Sequence, residues 1–249
     1  MSNRPKVLDL YCCAGGAGMG YHRAGFDVYG VDLDPQPNYP FAFRQDSALT
    51  VLEDLLAGEK LAFVHPDGTV EELGLTDFAL VHASPPCQAF SATKALHTNT
   101  HPDLIVPTRV LLRATGLPFI MENVVGAPLE DPLLLCGTEF RLRARDVDGV
   151  ELKLVRHRLF ETNLPLKRRG KCDHDRSVLT ASVYGAGGGW TPEHRDSAKR
   201  RGGYVPHTDV CRQLLGVDWT SKHELSQVVP PAFTEHLGAQ VLEHLKNFY

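Results

Sequence analysis

No apolar run in the 249 residues approaches the roughly 20 that a membrane-spanning helix needs. The opening Met1-Ser2-Asn3-Arg4-Pro5-Lys6 runs straight into strand-like Val7-Leu8-Asp9-Leu10 without a secretory signal pattern, so an intracellular, cytoplasmic setting is expected. The six cysteines, Cys12, Cys13, Cys87, Cys136, Cys172 and Cys211, lack framework spacing, which argues against a disulfide scaffold. Cys172 and His174 form one close pair, but no second Cys/His pair at finger spacing completes it, and no metal is expected. His97 and His101 flank Thr-Asn-Thr and precede a proline, the composition of a polar loop. No repeat or low-complexity tract is present, and the length suits one large α/β domain with a small appended lobe.

Acidic excess is another apparent obstacle, since a net charge of −4 is unfavourable for a polyanion partner. The charge is unevenly spread. Residues 151–206 hold 12 Lys/Arg against 6 Asp/Glu, a local +6, which leaves −10 on the rest of the chain. A basic lobe on an acidic body predicts contact with a polyanion on one face.

The most informative stretch is Ser84-Pro85-Pro86-Cys87-Gln88, directly after the apolar run Phe78-Ala79-Leu80-Val81. Such a run predicts a buried strand that delivers a thiol to the carboxyl edge of a sheet, with two prolines stiffening the approach. Upstream, strand-like Lys6–Tyr11 enters Cys12-Cys13-Ala14-Gly15-Gly16-Ala17-Gly18 before a helix reaching Gly25. A glycine-rich strand-to-helix turn lets backbone approach a ligand closely. Val28–Asp32 is a second strand ending in an acid about 20 residues downstream, the position of a carboxylate that binds ribose hydroxyls. Nucleoside binding follows, and phosphate-loop hydrolysis is disfavoured because no Gly-Lys-Ser/Thr follows the glycines.

Further along, Asp46 and Ser47 precede a helical stretch, Ala48 to Ala57, which either residue could cap. A hairpin insertion is predicted within 59–75, a helix over Leu104–Thr115 and a strand over Pro118–Val124 carrying Glu122. This alternation predicts a doubly wound sheet with Asp9, Asp32, Cys87 and Glu122 at or near one carboxyl edge. Residues 141–158 read as a β-hairpin around Asp148-Gly149, 163–206 as an irregular lobe, and Pro230-Pro231 as the start of a C-terminal helix with a Phe233, Leu237, Val241, Leu245 core stripe.

With these motifs in order, the chain resembles the cytosine-C5 DNA methyltransferases over nearly its whole length. Asp9-Leu10-Tyr11 with Gly15-Gly16 and Gly20 resembles the family's S-adenosylmethionine loop, in which Cys12 also falls. Asp32, followed by Leu33, resembles its ribose-binding acid, and Asp46, followed by Ser47, its adenine-contacting acid. Pro86-Cys87-Gln88 resembles the nucleophile motif, Glu122-Asn123-Val124 the Glu-Asn-Val motif, and Arg156-x-Arg158 the Gln-x-Arg-x-Arg motif. Gln227 to Gly238 resembles the final motif that returns to the cofactor. Three positions depart from the pattern: Cys13 stands where glycine is usual, Leu154 where glutamine is usual, and Gln227 near a usual Gly-Asn.

The resemblance implies a Rossmann-like S-adenosylmethionine-dependent sheet in 1–162, a target-recognition lobe in 163–206, short as in compact phage-borne or solitary members, and a return to the catalytic domain in 207–249. It implies S-adenosylmethionine as cofactor, double-stranded DNA as partner and a monomer. Cytosine C5 is too weak a nucleophile to take a methyl group unaided, so Cys87 would first add at C6. Glu122 would relieve charge at N3 and Arg158 would hold O2 of a flipped-out base. An RNA cytosine-C5 methyltransferase, transfer of a larger group from a modified sulfonium donor, and a non-catalytic nucleic-acid-binding relative remain the competing readings.

Overall fold

A computed structural model describes residues 4–86, 103–183 and 203–247. The first half of the chain forms β1 (Lys6–Leu10), α1 (Gly16–Ala24), β2 (Asp27–Asp32), β3 (Ala42–Gln45), α2 (Ala48–Leu56), β4 (Leu61–Val64), β5 (Val70–Leu73) and β6 (Phe78–Ala83). After Asp103 come α3 (Ile105–Ala114), β7 (Phe119–Asn123), β8 (Leu133–Leu135), β9 (Arg143–Arg145), β10 (Glu151–Lys153) and β11 (Arg158–Thr162). The remainder forms β12 (Leu179–Ala181), β13 (Gly203–Tyr204), α4 (Thr208–Leu215) and α5 (Pro231–Lys246).

Among the described residues, nine strands join in the order β5-β4-β3-β2-β1-β6-β7-β11-β8. The central five, β3 to β7, run parallel, and antiparallel strands extend both edges. Continuous apolar runs in β1, β2 and β6 follow from helices covering both faces. Side-chain alternation sorts them: Leu8 and Leu10 pack with Val51, Leu52 and Leu55 of α2 and Ile105 and Leu112 of α3. Val7, Val28 and Leu80 face the other way, onto Tyr21 of α1 and Phe233, Leu237 and Val241 of α5. The two helices of that second layer touch at Gly20, where a methyl group would overlap Thr234 Oγ1 and the Pro231 carbonyl. The order reverses between β1 and β6, which makes their carboxyl ends the crevice where a doubly wound sheet holds a ligand.

The hairpin insertion at β4–β5 and the helices α2, α3 and α5 lie where the sequence predicts them. The lobe differs from expectation. Instead of purely irregular structure, β12 pairs parallel to β10 and β13 parallel to β12, while β9 is the antiparallel partner of β10, giving a second sheet ordered β13-β12-β10-β9. Its core gathers Leu152, Leu154, Ala181, Tyr204, Leu214, Leu215 and Leu225, residues from both sides of the 163–206 segment. Three-residue strands carry too little periodicity to be seen in a sequence, and pairing across such distances is set by the shared core.

Candidate active site

The glycine turn leaves β1 through two non-glycine residues in left-handed backbone, Tyr11 (φ 55°) and Cys13 (φ 45°), before Gly15 (φ 82°) opens α1. Cys13 thus occupies a conformation that favours glycine and that costs an ordinary residue roughly 1–2 kcal/mol. The turn is held from outside: Cys13 N–H donates to Asp32 Oδ2 at 2.8 Å, Cys12 N–H to the Val31 carbonyl at 3.1 Å, and Trp219 Nε1–H to the Ala14 carbonyl at 2.7 Å. The other Asp32 oxygen, Oδ1, accepts from Asp34 N–H at 3.1 Å. Asp32 is therefore a partly exposed carboxylate fixed by two backbone donors, each oxygen with a lone pair to spare for a hydroxyl. Beside it Leu33 is 70% exposed, an apolar surface at the mouth of the crevice.

Asp46 follows β3, with its Oδ1 accepting from Ser47 N–H (2.8 Å) and its Oδ2 from Arg44 Nε and Nη2 (3.0 and 2.8 Å). Ser47 is the N-terminal cap residue of α2 but makes no side-chain capping bond. Asp9 lies beneath the turn and is completely buried. Its Oδ2 accepts from Tyr39 Oη–H at 3.2 Å, and burial pushes its carboxyl up to about 8, with the Tyr39 bond opposing and the Asp32 charge adding. Such an acid organises the turn from within. Cys12 is also buried, and burial raises its thiol pKa well above the ordinary value. Tyr11 Oη pairs with Thr108 Oγ1 of α3 at 2.8 Å. Gln227 is exposed, while its neighbours Val228 and Val229 close over Gly16, where an added methyl would sit 2.8 Å from Val228 Cγ1 and 2.7 Å from the Val229 carbonyl. The return of the C-terminal segment to the glycine turn is thus direct contact.

Across the switch point, β6 and β7 place Ser84 beside Glu122. Glu122 is 6% exposed, and burial raises its pKa against the opposing charges of Arg158 and Arg156 and a hydrogen bond from Ser84. Arg158 Nε lies 2.8 Å from Glu122 Oε1 without hydrogen-bond alignment, so this buried oxygen keeps its bonding capacity. Behind it runs a line of buried polar groups: Tyr21 Oη to His82 Nδ1 at 2.9 Å, His82 Nε2 to Ser84 Oγ at 2.9 Å, and Ser84 on to Glu122. Burial drives His82 down to about 3, so the ring is neutral. With Glu122 ionised, one proton arrangement satisfies every member: Tyr21 donates to His82, His82 to Ser84, and Ser84 to Glu122. Asn123 Nδ2–H donates to the Pro85 carbonyl at 3.0 Å and tethers the end of β7 to the proline loop.

The structure thus gathers Asp9, Tyr11, Cys12, Gly15, Gly16, Asp32, Leu33, Asp46 and Ser47 on one side of the crevice, and Pro86, Glu122 and Arg158 on the other. Cys87 lies outside the described residues, as do His97, His101 and residues 184–202. Arg156 is 1% exposed and donates to the carbonyls of Val183 and Ser226, so its contacts join the small lobe to the C-terminal segment. Leu154 is part of the lobe's core. Tyr39 and His82 carry no local signal in the sequence, whereas Ser84 and Asn123 lie inside the stretches singled out there without a role of their own. One expectation is corrected: Cys172 and His174 do meet a second Cys/His pair, Cys136 and His157, brought in by the fold from outside finger spacing.

No family model matches the chain. A 128-residue segment, 49% of the chain, is 30% identical to the type II methyltransferase M.XorII of Xanthomonas oryzae pv. oryzae, and spans 29% of that protein's length. A putative DNA modification methyltransferase encoded within an E. coli prophage superposes with a TM-score of 0.54 at 14% identity, covering 98% of this chain and 99% of that one. The S. pombe Dnmt2 methyltransferase gives a TM-score of 0.54 at 12% identity, with 97% and 99% coverage. At these identities the structures establish the fold alone, a doubly wound Rossmann-like sheet. The M.XorII likeness thus covers about half of this chain and less than a third of that protein.

Proposed function

We propose that the protein is a DNA cytosine-C5 methyltransferase that uses S-adenosylmethionine and acts through a covalent Cys87–C6 adduct. The observation that carries this reading is the buried Glu122 beside Arg158, with an acceptor oxygen left unsatisfied, next to the β6 exit loop that leads to Cys87 in sequence. The cofactor side fits its ligand by chemistry. Asp32 offers acceptors to a ribose diol and exposed Leu33 an apolar face to adenine, whereas Asp46 would have to share its carboxylate with Arg44. When bound, S-adenosylmethionine supplies an electrophilic methyl group for C5.

The chain's own residues supply the rest. The Cys87 thiolate adds to C6 of a cytosine turned out of the duplex, which makes C5 nucleophilic. Glu122, its pKa raised by burial, holds a proton at N3 and relieves charge developing on the ring. Arg158, 2.8 Å from Glu122, would hold O2 of the same base, while Arg156 keeps the lobe seated against the C-terminal segment. Loss of the C5 proton then lets Cys87 leave. The basic segment 151–206 contacts the DNA backbone and carries the choice of a site of a few base pairs, so each lost Lys or Arg contact should lower the salt slope of binding by roughly one unit. The test is mass spectrometry of nucleosides from cells expressing the protein. 5-Methylcytosine in DNA is expected; modification confined to RNA, or a heavier adduct on cytosine, would overturn the substrate or the donor.

A further inference from the structure

Outside the crevice, four side chains from three separate stretches converge: Cys136, just after β8; His157, just before β11; and Cys172 and His174, on the segment that leads from β11 to the small lobe. One ligand atom from each lies within 4.8 Å of every other. Cys136 Sγ is 3.4 Å from His174 Nε2, and Cys172 Sγ is 3.7 Å from His157 Nε2. In a tetrahedral zinc site, bond lengths of about 2.3 Å to sulfur and 2.0–2.1 Å to nitrogen set the sulfur–nitrogen edge at about 3.6 Å. The two pairs therefore already stand at the spacing of two edges of such a tetrahedron. We propose that Cys136, His157, Cys172 and His174 bind one structural zinc ion.

Two thiols and two imidazoles form a soft donor set with four protein ligands, a closed site rather than one with a position left for substrate. The surrounding bonds hold the ligands in place. Glu139 accepts from Arg168 Nη2 at 2.7 Å and from Gly170 N–H at 3.1 Å, and Asp173 N–H donates to Thr138 Oγ1 at 3.0 Å. These bonds pin the Cys172–His174 segment against the turn after Cys136, as outer-shell contacts do around metal sites. Cys136 is fully buried and His174 is exposed, which gives the ion a route in from solvent. The Cys136 thiol donates to the Val155 carbonyl at 3.0 Å; zinc would displace that proton and the one on Cys172. A disulfide between the two cysteines would leave both imidazoles without a purpose, and both are free thiols in the structure.

The position gives the ion a task. His157 sits between Arg156, which joins the lobe to the C-terminal segment, and Arg158, which faces Glu122. Zinc would tie the edge of the large sheet to the entry of the small lobe and fix the start of β11.

The test uses the full chain without a histidine tag, purified from zinc-sufficient medium without chelator. Elemental mass spectrometry should find about one zinc per chain, and cobalt exchanged into the site should show the thiolate charge-transfer and intense visible bands of tetrahedral coordination. His174→Ala should lose the metal and His174→Cys should retain it, whereas Cys211→Ser, outside the cluster, should hold it as the native chain does. Thiol titration should release two further reactive cysteines on chelation. Absence of zinc with no cobalt spectrum, stoichiometric binding of another metal, or a Cys136–Cys172 disulfide would overturn the proposal. None of these readouts depends on methyl transfer, so the zinc site and the proposed activity fail separately.

Discussion

Asp32 and Glu122 stand near the carboxyl ends of β2 and β7, on opposite sides of the β1–β6 switch point, and are held by different means. Asp32 is partly exposed and fixed by backbone N–H groups of Cys13 and Asp34. Glu122 is buried, paired with Arg158 from β11 and backed by Ser84, His82 and Tyr21. One half presents a charge to a ligand from a local turn; the other stores a raised-pKa acid in a network drawn from distant parts of the chain. The difference suits the tasks proposed for them, since a ribose needs a fixed acceptor whereas a ring nitrogen that gains charge during reaction needs a proton nearby.

Glu122→Gln breaks the second half most directly. It should lower the single-turnover rate about 10²–10⁴-fold, the usual scale for a lost proton donor, with cofactor affinity nearly unchanged. An equal loss of cofactor affinity would merge the two halves into one. Asp32→Ala breaks the first half: calorimetry should show S-adenosylmethionine binding weakened by roughly 1.5–3 kcal/mol, and unchanged affinity would move the ribose contact elsewhere.

A smaller effect separates the buried acid under the glycine turn from its exposed neighbour. Asp9 is raised from an ordinary 3.8 to about 8, so the folded state binds the extra proton, and stability should fall as pH rises from about 4 to about 8. His82, lowered from 6.5 to about 3, acts oppositely and loses stability as pH falls below 6.5. Between 6.5 and 8 the Asp9 contribution is therefore unopposed by His82. Urea unfolding of cofactor-free protein over that window should show a shallower decline for Asp9→Asn than for the native chain. Identical slopes would mean that Asp9 is ionised in the folded protein.

The same contrast explains what the sequence made legible. The glycine turn, Asp32 and the strand carrying Glu122 each announce themselves within a few residues, because a strand, a turn and a helix start are local and the parallel order follows from their alternation. Arg156 has the right motif, yet its carbonyl partners lie 27 and 70 residues away, and no spacing rule reveals them. Likewise the second sheet and the Cys136, His157, Cys172, His174 cluster exist only because β8 and β11 pair and the following segment folds back. Tyr39 reaches Asp9 from a loop with no motif at all.

The proposed mechanism turns on Cys87 as nucleophile, and a duplex bearing 5-fluorocytosine at the target site tests that role most directly. Fluorine at C5 cannot leave as a proton does, so the native protein with S-adenosylmethionine should form a stable covalent complex whose mass equals protein, DNA and one methyl group, and Cys87→Ala should form none. A complex of the same mass from Cys87→Ala, or none from native protein that methylates the unfluorinated duplex, would contradict the covalent Cys87 mechanism.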